Sequence, residues 1–197
     1  MLFNEAINLT LEDGEVIYYP ECFHPTEANA YFKTLLQTIA WQQDSITLFG
    51  KTHAQPRLTA LYANNSKAYS YSNITMQPTV FTKTLLQIKQ HIETICHTHF
   101  TTCLANLYRN GQDSNGWHAD NEKELGKQPI IASVSFGASR SFHLKHKTKK
   151  EHRLKINLEH GSLLLMKGAT QENWLHQIPK TKKKVGERIN LTFRIIA

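Results

Sequence analysis

The stretch Asn115-Gly116-Trp117-His118-Ala119-Asp120 sets an imidazole and a carboxylate two residues apart. Side chains in extended backbone alternate, so His118 and Asp120 project to the same side and can reach one metal ion. A third ligand from far along the chain would complete two histidines and one carboxylate, a set that leaves open positions on Fe(II) for a chelating co-substrate and for oxygen. His176 is the candidate. Near the C-terminus, Arg188, Asn190, Thr192 and Arg194 alternate with Ile189, Leu191, Phe193 and Ile195, a strand with one apolar face and one face carrying two guanidinium groups. Arginine is suited to gripping a carboxylate through two parallel hydrogen bonds, so two of them on one inner face point to a buried diacid. A His-x-Asp pair alone is a weak signal; the arginine strand gives it weight.

The elements that must position these residues can be read from periodicity. From Pro25, the apolar positions Ala28, Tyr31, Phe32, Leu35, Leu36 and Ile39 follow helical spacing, and Pro25 suits a first turn. Phe81, Leu85, Ile88, Ile92 and Ile95 mark a second amphipathic helix after Pro78. Val16 to Tyr19 and Ser45 to Phe49 read as short strands, and the polar stretch from there to Tyr71 as hairpin or loop. After residue 100 the period changes: 103–108, 130–136, 141–147, 153–158, 162–167 and 188–196 are alternating or β-branched runs separated by turn residues. The expected class is α+β, a double-sheet jelly roll with the N-terminal helices packed on one sheet.

At 197 residues the chain suits one domain, with residues 1–14 a loose lead-in and 15–197 the folded unit. Cys22, Cys96 and Cys103 form no CxxC pair and no even disulfide set, and no charged start followed by an apolar run marks a secretion signal. No apolar stretch approaches the roughly 20 residues of a membrane-spanning helix. The net charge is +7 and segregated: from Arg140 onward, 14 Lys or Arg face four acids, while residues 1–139 hold nine basic and 12 acidic residues. A one-sided basic region is the electrostatic footprint expected for nucleic acid.

His118-x-Asp120, His176 and Arg188-x-Asn190-x-Thr192-x-Arg194 resemble the signature of the AlkB-type Fe(II) and 2-oxoglutarate dioxygenases, which repair alkylated nucleobases. Leu48-Phe49-Gly50-Lys51, Pro56-Arg57, residues 131–138 and His160-Gly161-Ser162-Leu163-Leu164 are similar to the branch acting on duplex DNA, represented by the second human AlkB homologue. The likeness runs over roughly residues 15–197, with a nucleotide-recognition region about 45–75 and a catalytic double-stranded β-helix about 100–197.

The resemblance implies Fe(II), 2-oxoglutarate and O2, with His118, Asp120 and His176 on the metal. Asn106, Tyr108, Arg188, Asn190 and Arg194 would contact 2-oxoglutarate, Arg188 at its distal carboxylate. The implied reaction is oxidative demethylation of alkylated DNA bases such as 1-methyladenine and 3-methylcytosine, coupled to decarboxylation of 2-oxoglutarate. A base in a duplex must be flipped out to react. Phe49 matches the aromatic wedge that fills the gap. Tyr71 and the ring of His118, with Tyr69, would flank the base, and Glu122 would accept a hydrogen bond from its exocyclic amine. Lys51, Arg57, Arg140, Lys145, Lys147, Lys182, Lys183 and Lys184 would contact the DNA backbone, with bracing of the pocket the other role open to Arg140.

The expected partner is alkylated duplex DNA, the protein a soluble monomer, cytoplasmic in a bacterium or nuclear in a eukaryote. Asn121 stands where relatives have an acid, the 180–184 loop is one residue longer, and His53 replaces an aromatic; each bears on substrate preference more than on the iron. Two alternatives remain: the same iron chemistry on RNA or single strands, and a non-catalytic nucleic-acid-binding jelly roll.

Overall fold

The computed structural model describes residues 5–48, 51–64, 69–71 and 74–196. In chain order the strands are β1 (Ile7–Asn8), β2 (Glu15–Tyr19), β3 (Ser45–Leu48), β4 (Lys51–Ala54), β5 (Leu58–Ala63), β6 (Tyr69–Tyr71), β7 (Ile74–Met76), β8 (Thr79–Val80), β9 (Thr102–Tyr108), β10 (Asn115–His118), β11 (Ile131–Gly137), β12 (Arg140–His146), β13 (Arg153–Leu158), β14 (Ser162–Lys167), β15 (Trp174–Ile178) and β16 (Arg188–Arg194). The helices are α1 (Pro25–Thr38), α2 (Lys83–Cys96) and the short α3 (Thr170–Asn173).

Helix α1 starts at Pro25, whose ring fits the first turn, and the His24 ring accepts from Thr26 N ahead of it. Helix α2 begins later than Pro78 suggests, because Thr79 and Val80 pair in parallel with Tyr62 and Ala63. Thr82 then caps it, its hydroxyl accepting from Leu85 N, and His97 ends it in the left-handed region at φ 51.

Eight strands form one sheet in the order β1-β2-β14-β11-β16-β9-β5-β8, and four form a second in the order β10-β15-β12-β13. Leu35 of α1 and Leu85, Ile88 and Ile92 of α2 join Ala105, Val134, Leu191 and Phe193 in one core, so the helices cover one face of the large sheet as expected. A second core lies between the sheets, where Leu104, Ile131 and Leu164 meet Phe142, Leu144 and Trp174. With both faces covered, β9 and β16 are buried at every residue.

Alternation then divides these central strands. Leu107, Ala105 and Cys103 of β9 and Ile189, Leu191 and Phe193 of β16 face the helices. Asn106 and Tyr108, with Arg188, Asn190, Thr192 and Arg194, face the space between the sheets. The register aligns Arg188 with Tyr108 and Asn190 with Asn106, which places the polar set side by side.

Within residues 5–14 the expectation of a loose lead-in is corrected. Ile7 and Asn8 pair with Tyr18 and Ile17, and Glu12 and Asp13 both bind the Lys149 ammonium on the β12–β13 connection. Among the described residues, β3 pairs with β4 and β6 with β7 as separate two-stranded sheets.

Candidate metal and co-substrate site

His118 ends β10, and its register partner on β15 is His176, so two imidazoles meet across neighbouring strands with ring centroids 4.2 Å apart. Asp120 follows two residues on, and one ligand atom from each of His118, Asp120 and His176 lies within 4.8 Å of the others. Asp120 is 1% exposed and His176 5%, while His118 is partly exposed. His118 Nδ1 donates to Gly116 O at 2.7 Å, which turns Nε2 toward the cavity as the acceptor; Asn115 Nδ2 lies 3.2 Å from it. Burial lowers the His118 pKa and brings that of His176 down to about 3, so both rings are neutral near pH 7 and offer lone pairs. Phe142 stacks on His176 at 5.3 Å and closes the inner side.

Asp120 is held from two directions. Arg194 Nη2 donates to its Oδ1 at 3.0 Å, and its backbone N donates to Gln171 Oε1 at 2.9 Å. Burial pushes the carboxyl pKa up, but the Arg194 guanidinium beside it outweighs this and holds the group below the ordinary range.

Arg188 is 1% exposed; its Nη2 donates to Ser135 Oγ at 2.9 Å and its guanidinium lies 5.2 Å from the centre of the Tyr108 ring. Its Nε and Nη1 are buried without a hydrogen-bond partner among the described residues. Burial lowers its pKa to about 10. Two unmatched donors on a buried cation are costly unless an acceptor arrives, and a carboxylate has the geometry to take both. The donor set fits Fe(II), and the Arg188 donors fit an acid beside it.

The cavity lining brings together the ligand triad and Asn106, Tyr108, Arg188, Asn190 and Arg194, every residue expected at metal or co-substrate. Asn190 is already engaged: its Nδ2 donates to Ser133 Oγ at 2.8 Å and its Oδ1 accepts from Thr192. Glu122 sits outside this lining, half-buried at the start of a 3-10 turn. Phe49 lies outside the described residues, as do the side chains of Lys51, Tyr69 and Tyr71.

The phosphate contact expected of Arg57 is corrected, and of the two roles open to Arg140 the bracing one is found. Arg57 is 4% exposed and donates to Asn106 Oδ1 at 2.8 Å and to Ser114 O at 3.3 Å, so it braces the cavity wall. Arg140 is 3% exposed and donates to the carbonyls of Asn110, Asp113 and Pro179, tying the β9–β10 loop to the β15–β16 loop. Lys147 donates to the Gln171 and Glu172 carbonyls. Lys145 lies over the Trp117 ring, and Lys182, Lys183 and Lys184 are exposed.

Ser135, Gln171 and Phe142 were not anticipated. Ser133 and Ser135 carry a signal, as polar residues at period two within the apolar run of β11. Gln171 carries none, because it reaches Asp120 from 51 residues away.

A jelly roll with this ligand set defines the 2OG-Fe(II) oxygenases. Residues 15–194 match the model of the 2OG-Fe(II) oxygenase superfamily, and the chain belongs to that family, whose cofactors are Fe(II) and 2-oxoglutarate with O2. Within it the chain is an AlkB homologue. It is 42% identical over 192 residues to alpha-ketoglutarate-dependent dioxygenase alkB homolog 3 of Homo sapiens, covering 93% of this chain and 66% of that protein. To the DNA oxidative demethylase ALKBH2 of Homo sapiens it is 35% identical over 188 residues, covering 90% and 72%. The motifs resembled the second homologue, yet identity is higher with the third. The chain spans 62% of the bovine homolog 3 and 66% of the human one. A solved structure of OsALKBH1, 17% identical, shares the fold at a TM-score of 0.66 over 94% of this chain and 99% of that one. No helix among the described residues is long and apolar enough to cross a membrane.

Proposed function

We propose that this chain removes alkyl groups oxidatively from nucleobases in DNA, using Fe(II), 2-oxoglutarate and O2. The observation that carries the reading is the buried triad of His118, Asp120 and His176 facing a buried Arg188 whose Nε and Nη1 have no hydrogen-bond partner among the described residues. The names of the relatives, dioxygenase and DNA oxidative demethylase, agree with it.

The bound metal and co-substrate supply the oxidising chemistry: 2-oxoglutarate and O2 become succinate and CO2, and the N-methyl group is hydroxylated and leaves as formaldehyde. His118, Asp120 and His176 would hold the metal. Arg188 would take the distal carboxylate, oriented by Ser135 and the Tyr108 ring, with Arg194 near the chelating end, where it also keeps Asp120 anionic. Asn106, its Oδ1 accepting from Arg57 and its Nδ2 donating to Leu104 O, would turn its remaining amide hydrogen to the co-substrate. Phe142 and the apolar residues around it exclude water.

The target base reaches this depth only by leaving its stack, at a cost of a few kcal/mol. Tyr71, Tyr69 and the His118 ring would flank it, Glu122 would accept from its amine, and Phe49 would fill the gap in a duplex. Lys182, Lys183 and Lys184 would neutralise phosphates. We place the protein in whichever compartment holds DNA, acting as a monomer.

The test is mass spectrometry of duplex and single-stranded oligonucleotides carrying 1-methyladenine or 3-methylcytosine, incubated with Fe(II) and 2-oxoglutarate. Loss of a methyl mass that requires 2-oxoglutarate and vanishes in Asp120→Ala is expected; no loss from any substrate would end the reading. Phe49→Ala should reduce duplex repair far more than single-strand repair if the wedge assignment holds.

A further inference from the structure

The outward face of the four-stranded sheet carries a feature that the oxidation chemistry does not use. Trp117 precedes His118 within the bulge of β10, where the register slips between Asn115 and His118; those two residues line the cavity, while the Trp117 ring lies at the surface. It is 39% exposed, whereas Trp174 is 2% exposed and Trp41 is partly buried. The Lys145 ammonium stands 4.3 Å from the centre of its ring, and the His143 ring 6.5 Å away.

His143 also lines a cleft of about 420 Å³ whose other residues include Asn157, Lys180, Thr181 and Lys183. The outer surface therefore runs from the mouth of the metal cavity over Trp117 and His143 to a pair of lysines. The sequences of β10, β12, β13 and β15 contain no Asp or Glu, so nothing on these strands cancels Lys145, Arg153 and Lys155.

We propose that this face, from Trp117 to the Lys180 and Lys183 cleft, is a track for an unpaired nucleic-acid strand. Trp117 stacks on a base next to the one in the cavity, and the lysines take its phosphates. The inference rests on the nucleic-acid reading of the site but not on its iron chemistry. An exposed aromatic ring beside cations is the arrangement that binds single strands, because every unpaired base offers a π face. A base inside a duplex is already stacked on both sides and offers none. Lys145 now covers the ring as a cation on a flexible stem, and it can swing from ring to phosphate as the base arrives.

The experiment uses iron-free protein and unmodified oligothymidylate of about ten nucleotides, a length within the usual single-strand site size. Tryptophan emission and its shielding from iodide are followed at low salt, with a duplex of equal length in parallel. The single strand should quench and shield the exposed tryptophan of the unsubstituted protein; the duplex should not. Trp117→Ala should weaken single-strand binding about 10-fold, with less than about 2-fold on the duplex, and Trp117→Phe should keep most of the affinity. Lys180→Ala with Lys183→Ala should reduce the salt slope of single-strand binding by about 1.4.

Absence of shielding in the unsubstituted protein, or equal weakening of both substrates by Trp117→Ala, would overturn the track. Shielding is read without any variant, so a misfolded variant does not block the test. Demethylation failing on every lesion while shielding persists would remove the catalytic reading and leave this one standing.

Discussion

Arg194 Nη2 lies 3.0 Å from Asp120 Oδ1, and both side chains are almost wholly enclosed. One arm of the metal triad is thus fixed by a residue on the central strand β16, which carries Arg188 six residues earlier. Removing the cation leaves an uncompensated buried carboxylate. We predict that Arg194→Met destabilises the protein by about 3–5 kcal/mol in urea denaturation and weakens metal affinity in a titration. Unchanged stability would show that Asp120 does not depend on this partner.

Arg188→Met should separate stability from function. The buried donors that lack an acceptor are lost, so the metal-free protein should gain about 1–3 kcal/mol of stability, while the KM for 2-oxoglutarate rises about 10- to 100-fold. A variant with normal KM would remove Arg188 from the co-substrate site.

Acid should weaken the fold partly through Asp113. Burial raises its pKa, but two hydrogen bonds from the Arg109 guanidinium and one from its backbone N outweigh this and lower it. A depressed carboxylate contributes stability that is present above its unfolded pKa of about 3.9 and lost as pH falls through the folded value. Asp113→Asn should cost about 1 kcal/mol at pH 7, discounted because Arg109 is exposed, and should make stability less steep with pH below about 4. Parallel pH curves for the two proteins would rule the pair out.

Surface lysines should not contribute equally to DNA binding. Lys149 is committed to Glu12 and Asp13, so Lys149→Ala should leave the salt slope unchanged, whereas Lys182→Ala should lower it by about 0.9 on duplex DNA. Equal effects would mean that the acids release Lys149 when DNA binds.

Gly137 turns the chain from β11 to β12 at φ +89, and an added Cβ would strike the Glu187 carbonyl and come within 2.6 Å of the Phe32 ring. Gly137→Ala should cost about 2–4 kcal/mol by thermal or urea unfolding, because neither neighbour can yield cheaply. Because Gly137 pairs with Arg188, its KM for 2-oxoglutarate should rise too.

The residues that line the cavity were legible where their signal is local: two residues apart in His118 and Asp120, every second residue in β16. Strand β15 was missed although WLHQI alternates, since His176 was read as a ligand without its strand. Strand β5 was hidden in a stretch rich in tyrosine, asparagine and serine, and its buried face becomes meaningful only once β9 pairs with it. Arg57 read as a phosphate contact, and Arg140 as either a phosphate contact or a brace, because the atoms that consume their donors, Asn106 Oδ1 and the carbonyls of Asn110, Asp113 and Pro179, come from distant residues or other loops. Charge on a side chain is visible in one dimension, but its partner is not.

The two faces of β16 are interleaved on a single thread: volume on the odd positions, chemistry on the even ones. Inserting or deleting one residue between Ile189 and Phe193 would exchange them, driving one guanidinium into the helix-covered core and an aliphatic chain into the cavity. Point substitutions along this strand can be graded, but a single-codon length change cannot, so related chains should vary freely in loop length while β16 keeps one count from Arg188 to Arg194.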